Sequence, residues 1–239
     1  MAKAVKRRYD NSRREAQTRA TRADVITAAR QLFVVRGYHA TTIDAVADAA
    51  TTPLATVYRL FGSKRGILSA VLDVSFGGDD EPIAFRDRPA VQAAMAEPDP
   101  GVLLDAFARI CRELLDRSAP IQHVLASAAT TDDEAADLLA TTRRQRLLGQ
   151  SRVVQALADR DALAEGLAEK EAADVVYTLM SPEVHRILTV ERGWRPDRYE
   201  RWLATALRAL LLPAATKGRR SSRRSGSASS AAAKGRATR

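Results

Sequence analysis

The sequence predicts an all-α protein with a short N-terminal head of three helices and a larger C-terminal helical part. Gly and Pro are sparse among the 239 residues, at 12 and 9, whereas Ala, Leu and Arg abound, and this composition favours helices. Apolar residues recur at helical spacing along most of the chain, with capping residues and prolines where these stretches begin. No apolar run approaches the roughly 18 residues of a membrane span, so we expect no membrane association.

Two short helices joined by a tight turn are predicted between residues 41 and 64. Thr41 or Thr42 caps the first, whose apolar face has the spacing i, i+3, i+4, i+7 at Ile43, Val46, Ala47 and Ala50. Thr52 before Pro53 predicts the start of the second, with the threonine hydroxyl as its cap. Its apolar edge is formed by Val57 and Phe61. The pattern is that of a helix-turn-helix.

The flanking helices complete the head. A helix from about Thr21 to Gly37 supplies the third side of the small core, and Gly37 ends it. A further helix begins at Ser63 and extends to Phe76, after which GGDDEP breaks the pattern. We therefore predict a head over residues 21–76, preceded by a disordered basic arm over residues 1–20.

Residues 21–72 resemble the DNA-binding domain of the TetR-family transcriptional regulators. The resemblance lies in Gly37-Tyr38, Thr41-Thr42-Ile43, Thr56-Val57-Tyr58-Arg59 and Phe61-Gly62-Ser63-Lys64, in that order and spacing. It implies that residues 53–60 form the recognition helix in the major groove of a roughly palindromic operator. The implied DNA-contacting residues are Thr41, Thr42, Thr52, Pro53, Leu54, Ala55, Thr56, Tyr58, Arg59 and Lys64.

Four positions depart from the family pattern. Members usually have Gly where this chain has Thr51, a small polar or basic residue at Pro53 and Leu54, and often His at Leu60. Leu54 and Leu60 remove hydrogen-bonding groups, so we expect apolar contact at Leu54, for example with a thymine methyl. Arg59 suits either guanine or phosphate, and Tyr58 suits either DNA contact or packing in the head. We expect phosphate contacts and DNA shape to carry much of the affinity.

The C-terminal part, residues 83–213, corresponds by this resemblance to a helical effector-binding and dimerisation domain. Breaks in its helical pattern are predicted at Pro98–Pro100, Ser118–Pro120, Thr130–Asp133 and Asp159–Asp161. Residues 169–192 and 196–212 would form a four-helix bundle with a second subunit. The apolar side of that bundle would be Val175, Val176, Leu179, Leu188, Trp202, Leu203, Ala206, Leu207 and Leu210; the alternative is that these residues bury inside one subunit.

The resemblance also implies a small-molecule effector, whose identity the sequence does not give. The candidate pocket residues are mostly apolar, and one histidine would supply a polar group for the ligand. They are Phe107, Cys111, His123, Leu125 and Tyr177. The alternative for each is ordinary core packing. Cys111, alone in an apolar helical pattern, is expected to be an inert thiol in a reducing cytoplasm.

The net charge of +9 is concentrated at the two ends. Residues 1–22 carry eight Lys or Arg against two acids, and residues 214–239 carry eight and no acid, which leaves −5 for the rest. Cationic ends suggest a polyanionic partner, although the tail could simply favour solubility. The tail's Ser, Ala, Gly, Arg and Lys composition predicts disorder.

Three histidines, one cysteine and no nucleophile motif or metal-ligand spacing give little support to an enzyme, so we expect no catalytic residue, cofactor or metal. If the chain were a ligand-binding helical protein without DNA affinity, the predicted helix-turn-helix of the head would have no function. We therefore predict a homodimeric, effector-responsive repressor, with a nucleoid-associated binder of weak sequence preference, driven by its basic ends, as the alternative.

Overall fold

Every regular element in the described part of the chain is helical, which confirms the all-α prediction. The computed structural model describes residues 2–81 and 83–214, so the predicted tail lies outside the described residues from residue 215 onward. The helices are α1 (Ala2–Arg36), α2 (Ile43–Ala49), α3 (Leu54–Phe61), α4 (Lys64–Gly77), α5 (Pro89–Ala96), α6 (Pro100–Ala128), α7 (Asp133–Ala158), α8 (Glu169–Leu179), α9 (Pro182–Arg186) and α10 (Pro196–Leu211). A 3₁₀ turn precedes α5, and a π-helical turn at Ile187–Glu191 continues α9.

Within residues 2–81 and 83–214, none of the helices combines the length and apolar character that crossing a bilayer requires.

Side-chain caps set the start of five of these helices, including α9, where the Ser181 hydroxyl accepts from the Val184 N–H at 3.0 Å. The side chains of Thr42, Ser63, Asp99 and Asp132 accept hydrogen bonds from backbone N–H groups in the first turns of α2, α4, α6 and α7. Thr42 rather than Thr41 is therefore the cap of α2. The predicted breaks before α6, before α7 and after α7 are confirmed.

The first helix is longer than the sequence predicts. It begins at Ala2, not near Thr21, and its 35 residues include most of the segment predicted as a disordered arm. Residues 2–20 contain no Gly or Pro and are rich in Ala and Arg, so intrinsic propensity favours continuing the helix. Residues 13–20 are all exposed, so propensity rather than packing holds this part. A role of the basic arm on DNA stays a prediction.

The predicted break at Ser118–Pro120 is wrong, because α6 continues through Pro120. Pro120 has no N–H to donate to the carbonyl of Asp116, but it lies on the exposed side while residues on both sides of it are buried. Packing of the opposite face therefore maintains the helix. Near this interruption, the Arg30 guanidinium of α1 donates to the carbonyl of Arg117 at 3.0 Å.

The hydrophobic core of the head extends into the body. Val25 and Phe33 of α1 and Leu68 of α4 belong to the same buried cluster as Ile121 and Leu125 of α6. A second cluster fills the body between α6, α7, α8 and α10. The second half of α6 is thus part of the surface on which the head rests.

Three residues predicted for the dimer interface are buried inside the subunit. Val176, Leu203 and Leu207 have no exposed surface and belong to the body core. On α10 the inward stripe has a spacing of four residues, at Tyr199, Leu203, Leu207 and Leu211, which is one face of a helix. The other predicted residues keep some exposure: Val175, Leu179, Leu188, Trp202, Ala206 and, at 50%, Leu210.

Candidate nucleic-acid interface and effector cavity

The turn between α2 and α3 fixes the orientation of α3. Thr51 has φ +48°, the left-handed conformation that glycine adopts at least cost. The hydroxyl of Thr52 donates to the Ala50 carbonyl at 3.1 Å, and Pro53 is the N-cap residue without a side-chain cap bond. The prediction that Thr52 caps this helix is therefore wrong, because its hydroxyl bonds to the preceding Ala50 carbonyl and not to an N–H of the first turn of α3. The turn nevertheless keeps the shape for which a glycine would be expected.

Helix α3 presents one face to the head and another to solvent. Val57 is 1% exposed and Phe61 packs partly against the head core. The outward positions gather most of the predicted DNA-contacting residues: Pro53, Leu54, Ala55, Tyr58 and Arg59 are exposed, and Thr56 is half-buried. Tyr58 is 47% exposed, which favours DNA contact over packing in the head. The exposed face of this short helix thus combines apolar side chains with the Tyr58 hydroxyl and the Arg59 guanidinium, which suits contact with base edges and phosphates in a major groove.

Arg59 stands among these side chains without an acidic partner. In the described part of the chain no carboxylate lies within 4.0 Å of its guanidinium, whereas Arg65 on the next helix pairs with Glu134 at 3.4 Å. A guanidinium that is not engaged internally keeps its five N–H donors for guanine or phosphate.

The threonines at the start of α2 have different places. Thr42 is exposed, and its hydroxyl oxygen accepts from the Ala45 N–H at 3.1 Å, which leaves the hydroxyl proton for a phosphate oxygen. Thr41 is completely buried and its hydroxyl donates to the Gly37 carbonyl at 2.8 Å. Thr41 is therefore removed from the candidate interface; it holds the loop after α1. Thr52 is 9% exposed and lies at the margin of the surface.

Lys64 is engaged within the head. Its ammonium donates to the Tyr38 carbonyl at 3.0 Å and lies 4.3 Å from the centroid of the Tyr38 ring. Burial lowers the pKa of Lys64, while the Asp132 carboxylate opposes that change. Lys64 thus joins the start of α4 to the loop after α1, and its predicted phosphate contact stays a prediction.

A cavity of about 110 Å³ lies between α6, α7 and α9. Its apolar walls are Leu125, Ala126, Leu139 and Pro182, and its polar walls are Gln122, His123 and Thr142. Four charged residues complete the lining: Arg143, Arg146, Glu183 and Arg186. Two of the five predicted pocket residues, His123 and Leu125, therefore line it.

The other three predicted pocket residues lie elsewhere. Phe107 and Cys111 belong to the body core, and the Cys111 sulfur is 3.4 Å from that of Met180. Burial raises the pKa of the Cys111 thiol, which makes it unreactive, as expected. Tyr177 is half-buried, and its ring centroid lies 3.8 Å from the guanidinium carbon of Arg146. Tyr177 thus supports a lining residue without lining the cavity.

Sequence reasoning missed the arginines of the cavity. Leu139, Thr142, Arg143 and Arg146 follow the spacing i, i+3, i+4, i+7 on α7, which places them on one helical face. That combination of an apolar residue, a hydroxyl and two cations on one face was the signal available in the sequence. Arg186 could not be found this way, because only the tertiary fold brings α9 to the same cavity as α7.

A wider groove of about 370 Å³ separates α4 from α7 next to the end of α3. Phe61, Ser63 and Arg65 lie on one side, and Asp137, Leu138 and Thr141 on the other. This groove marks a seam between head and body.

A polar cluster joins α6, α9 and α10. The buried His185 ring nitrogen Nε2 is 2.9 Å from a carboxylate oxygen of Asp116, and the His185 ring meets Tyr199 edge-on at 4.9 Å. Arg112 bonds to both Asp116 and Glu200. Burial raises the pKa of Tyr199. These contacts fix α9, and with it one wall of the cavity.

Comparison with known proteins places the head within a family. Residues 25–71 match the family model described as bacterial regulatory proteins, tetR family. An uncharacterized HTH-type transcriptional regulator of Bacillus subtilis (strain 168), YvkB, is 41% identical over 54 residues. That match spans 23% of this chain and 29% of the relative.

Two solved structures extend the similarity of fold beyond the head. The SmeT–triclosan complex superposes with a TM-score of 0.62 at 17% identity and covers 81% of this chain and 92% of that one. NalD, the secondary repressor of the MexAB-OprM multidrug efflux pump in Pseudomonas aeruginosa, gives 0.62 at 19% identity, with 81% and 97% covered.

Proposed function

Since the chain belongs to the TetR family of bacterial transcriptional regulators through its head, we propose that it binds a roughly palindromic operator as a homodimer and represses transcription in the cytoplasm. A small-molecule effector releases it from the operator. It works without a cofactor, and its partners are double-stranded DNA, a second copy of itself and the effector.

The exposed face of α3 carries this proposal. Val57 anchors the helix in the head, so Leu54, Tyr58 and Arg59 protrude into solvent. Arg59 would read guanine or hold a phosphate, Tyr58 and Thr42 would hold the backbone, and Leu54 would contact a thymine methyl. The readout rests on few base-contacting groups, so phosphate contacts contribute much of the affinity.

Dimerisation is supported by exposed apolar side chains in the last helical segments. Ile187 and Val190 of the π-helical turn are 45% and 71% exposed, and Leu210 of α10 is 50% exposed. Burial of such side chains against a second copy is favourable. A twofold dimer would present two α3 helices and thereby require two half-sites.

An effector role for the body is supported by the cavity between α6, α7 and α9. SmeT, similar in fold, is described in complex with triclosan, and NalD is described as a repressor. An effector releases the operator only if it binds the DNA-free conformation more tightly than the DNA-bound one.

The test is selection of genomic fragments by the purified protein at moderate salt, with and without residues 214–239. Enrichment of one palindrome by both forms is the expected result. Arg59→Ala should then lower affinity for that palindrome about tenfold or more, the size of a lost bidentate base contact. Arg152→Ala, an exposed arginine on α7, is the matched control and should leave affinity unchanged.

Uniform recovery of fragments that collapses without residues 214–239 would overturn the proposal. It would favour the nucleoid-associated alternative, for which the eight cationic and no acidic residues of that segment are the supporting observation. An absence of DNA binding even at low salt would contradict both.

A further inference from the structure

We infer that the cavity between α6, α7 and α9 is a site for a small apolar monocarboxylate, and that this class contains the effector. The inference rests on the proposed function for its regulatory meaning, whereas the binding site itself depends only on the residues that line the cavity.

The size of the cavity sets the size of the ligand. Its volume is about 110 Å³, and an engineered apolar cavity of about 150 Å³ in another protein holds benzene. A single ring or a short chain therefore fits with slight expansion, whereas a nucleotide or a drug-sized molecule does not, since such ligands need about 300 Å³ or more. Leu125, Leu139 and Pro182 supply apolar walls for that part of the ligand.

The charges of the lining select an anion. Three arginines face one glutamate, Glu183, and one of the arginines, Arg186, is engaged with Glu191 at 2.7 Å. Arg143 and Arg146 have no carboxylate within 4.0 Å in the part of the chain that the structure describes. Two guanidinium groups without acidic partners beside an apolar wall favour a carboxylate, which accepts two parallel N–H bonds from one arginine.

Arg146 is held ready for such a contact. Its guanidinium lies over the Tyr177 ring at 3.8 Å, and stacking of this kind fixes the plane of the group. Its Nε is buried and has no hydrogen-bond partner in the structure. A buried donor without an acceptor costs free energy, and a carboxylate in the cavity would bring acceptor oxygens to this guanidinium.

The cavity also has a physical connection to the head. Leu125 lines the cavity and belongs to the buried cluster shared with α1 and α4, and Leu139 packs against that same cluster. A ligand that displaces these two side chains therefore perturbs the surface on which the head rests. Ligand binding in the cavity is thereby coupled through packed side chains to the head, which carries the DNA-reading helix α3.

The test uses the full-length protein without DNA and small acids paired with their neutral amides. Benzoate and hexanoate, against benzamide and hexanamide, are titrated by calorimetry and by thermal shift. We expect the acids to bind at least tenfold more tightly than their amides. Arg143→Gln and Arg146→Gln should each weaken binding of the acids about tenfold and leave the amides unchanged.

Arg144→Gln is the matched control, because Arg144 is exposed on the same helix and does not line the cavity. It should bind the acids like the unaltered protein. Equal binding of acids and amides, or no effect of either cavity substitution, would overturn the inference, as would no binding of any of the four compounds. Arg143 is exposed, so its variant should fold even if loss of the Arg146–Tyr177 stack impairs the other.

The operator selection described above separates the two ideas. If a palindrome is selected but no acid binds, the inference fails and the proposed function stands. If the acids bind through Arg143 and Arg146 but no DNA is bound, the site stands and the regulatory function fails.

Discussion

Thr51 bends the turn before the recognition helix with φ +48°, a conformation that costs a residue with a Cβ about 1–2 kcal/mol. Glycine avoids this cost but loses about 0.5–1 kcal/mol through the entropy of the unfolded chain. We therefore expect Thr51→Gly to raise the free energy of unfolding by about 0.5–1 kcal/mol, because threonine is also β-branched. Urea unfolding at fixed protein concentration measures the change.

Asp161 provides the control for that substitution. It is the other non-glycine residue with a positive φ in the described chain, at +52°, but aspartate tolerates this region better than threonine. Asp161→Gly should therefore give a smaller gain than Thr51→Gly. A Thr51→Gly protein no more stable than the unaltered one would show that the turn is unstrained.

Asp79 and Arg88 join the end of α4 to the segment before α5. Two guanidinium nitrogens of Arg88 donate to the two carboxylate oxygens of Asp79, both at 2.7 Å, and this pairing lowers the pKa of Asp79 to about 2. The stabilisation from this carboxylate is present above its unfolded pKa of about 3.9 and is lost as the pH falls through the folded value.

We expect the Asp79 carboxyl to stay ionised between pH 5 and pH 3, and to titrate within that range in Arg88→Gln. Carbon-detected NMR of the side-chain carboxyls follows the change directly. An unaltered protein whose Asp79 titrates near pH 4 would contradict the pairing.

Single side chains also show what the sequence can and cannot predict. The choice between Thr41 and Thr42 as cap was open, because both precede the helix; only the folded loop brings the Thr41 hydroxyl to the Gly37 carbonyl. The exposure of Tyr58 and Arg59 followed correctly from the spacing of Val57 and Phe61. The engagement of Lys64 with Tyr38 could not be predicted, since 26 residues separate them.

At the scale of elements, the junction of α3 and α4 depends on Gly66. A Cβ at this position would meet the Phe61 carbonyl, a backbone group that cannot rotate away. We expect Gly66→Ala to lower the free energy of unfolding by about 1–3 kcal/mol, the usual cost of forced overpacking. It should also weaken operator binding, since α3 must shift. Chemical unfolding and operator titration measure the two effects.

Gly149 is the matched control for Gly66, because it lies inside α7 and a Cβ there meets nothing within 4 Å. Gly149→Ala should stabilise the protein by about 1 kcal/mol through helix propensity. If Gly66→Ala stabilises the protein as Gly149→Ala does, a Cβ at residue 66 does not clash with the Phe61 carbonyl, and the prediction is wrong.

Helix ends were predictable wherever a cap or a proline marks them, as before α6 and α7. The errors at the element scale come from packing and from propensity. Pro120 would end an isolated helix, but the buried face of α6 maintains it. Conversely, residues 13–20 have no buried face and so no apolar periodicity. Because the prediction relied on that periodicity, it assigned this part of α1 to a disordered arm.

For the whole molecule, a core shared between head and body means that the two parts are mechanically joined. Ile121 and Leu125 of α6 pack in the cluster that contains Val25 and Leu68 of the head, and Arg30 binds the Arg117 carbonyl. A sequence pattern cannot reveal this, because it shows which residues are apolar and not which element they bury against. The same limit explains why Val176, Leu203 and Leu207 were predicted at the dimer interface.

Burial of Val176, Leu203 and Leu207 inside the subunit changes which residues are available to join two subunits. If the buried residues do not form the interface, the exposed Val190 and Leu210, at 71% and 50%, are its best candidates. Val190→Asp and Leu210→Asp should each raise the dissociation constant of the dimer at least tenfold, because a carboxylate would be buried without a partner. Sedimentation velocity across a concentration series measures it.

Leu148→Asp is the control for this prediction, since Leu148 is 65% exposed but lies on α7, outside the predicted bundle. It should dimerise like the unaltered protein, and near-native circular dichroism should accompany all three variants. Dimers of unchanged affinity in Val190→Asp and Leu210→Asp would place the interface elsewhere. Operator binding provides a second readout: a monomer holds one half-site, so both interface variants should lose affinity for the palindrome while keeping the non-specific binding that α3 and the basic segments supply.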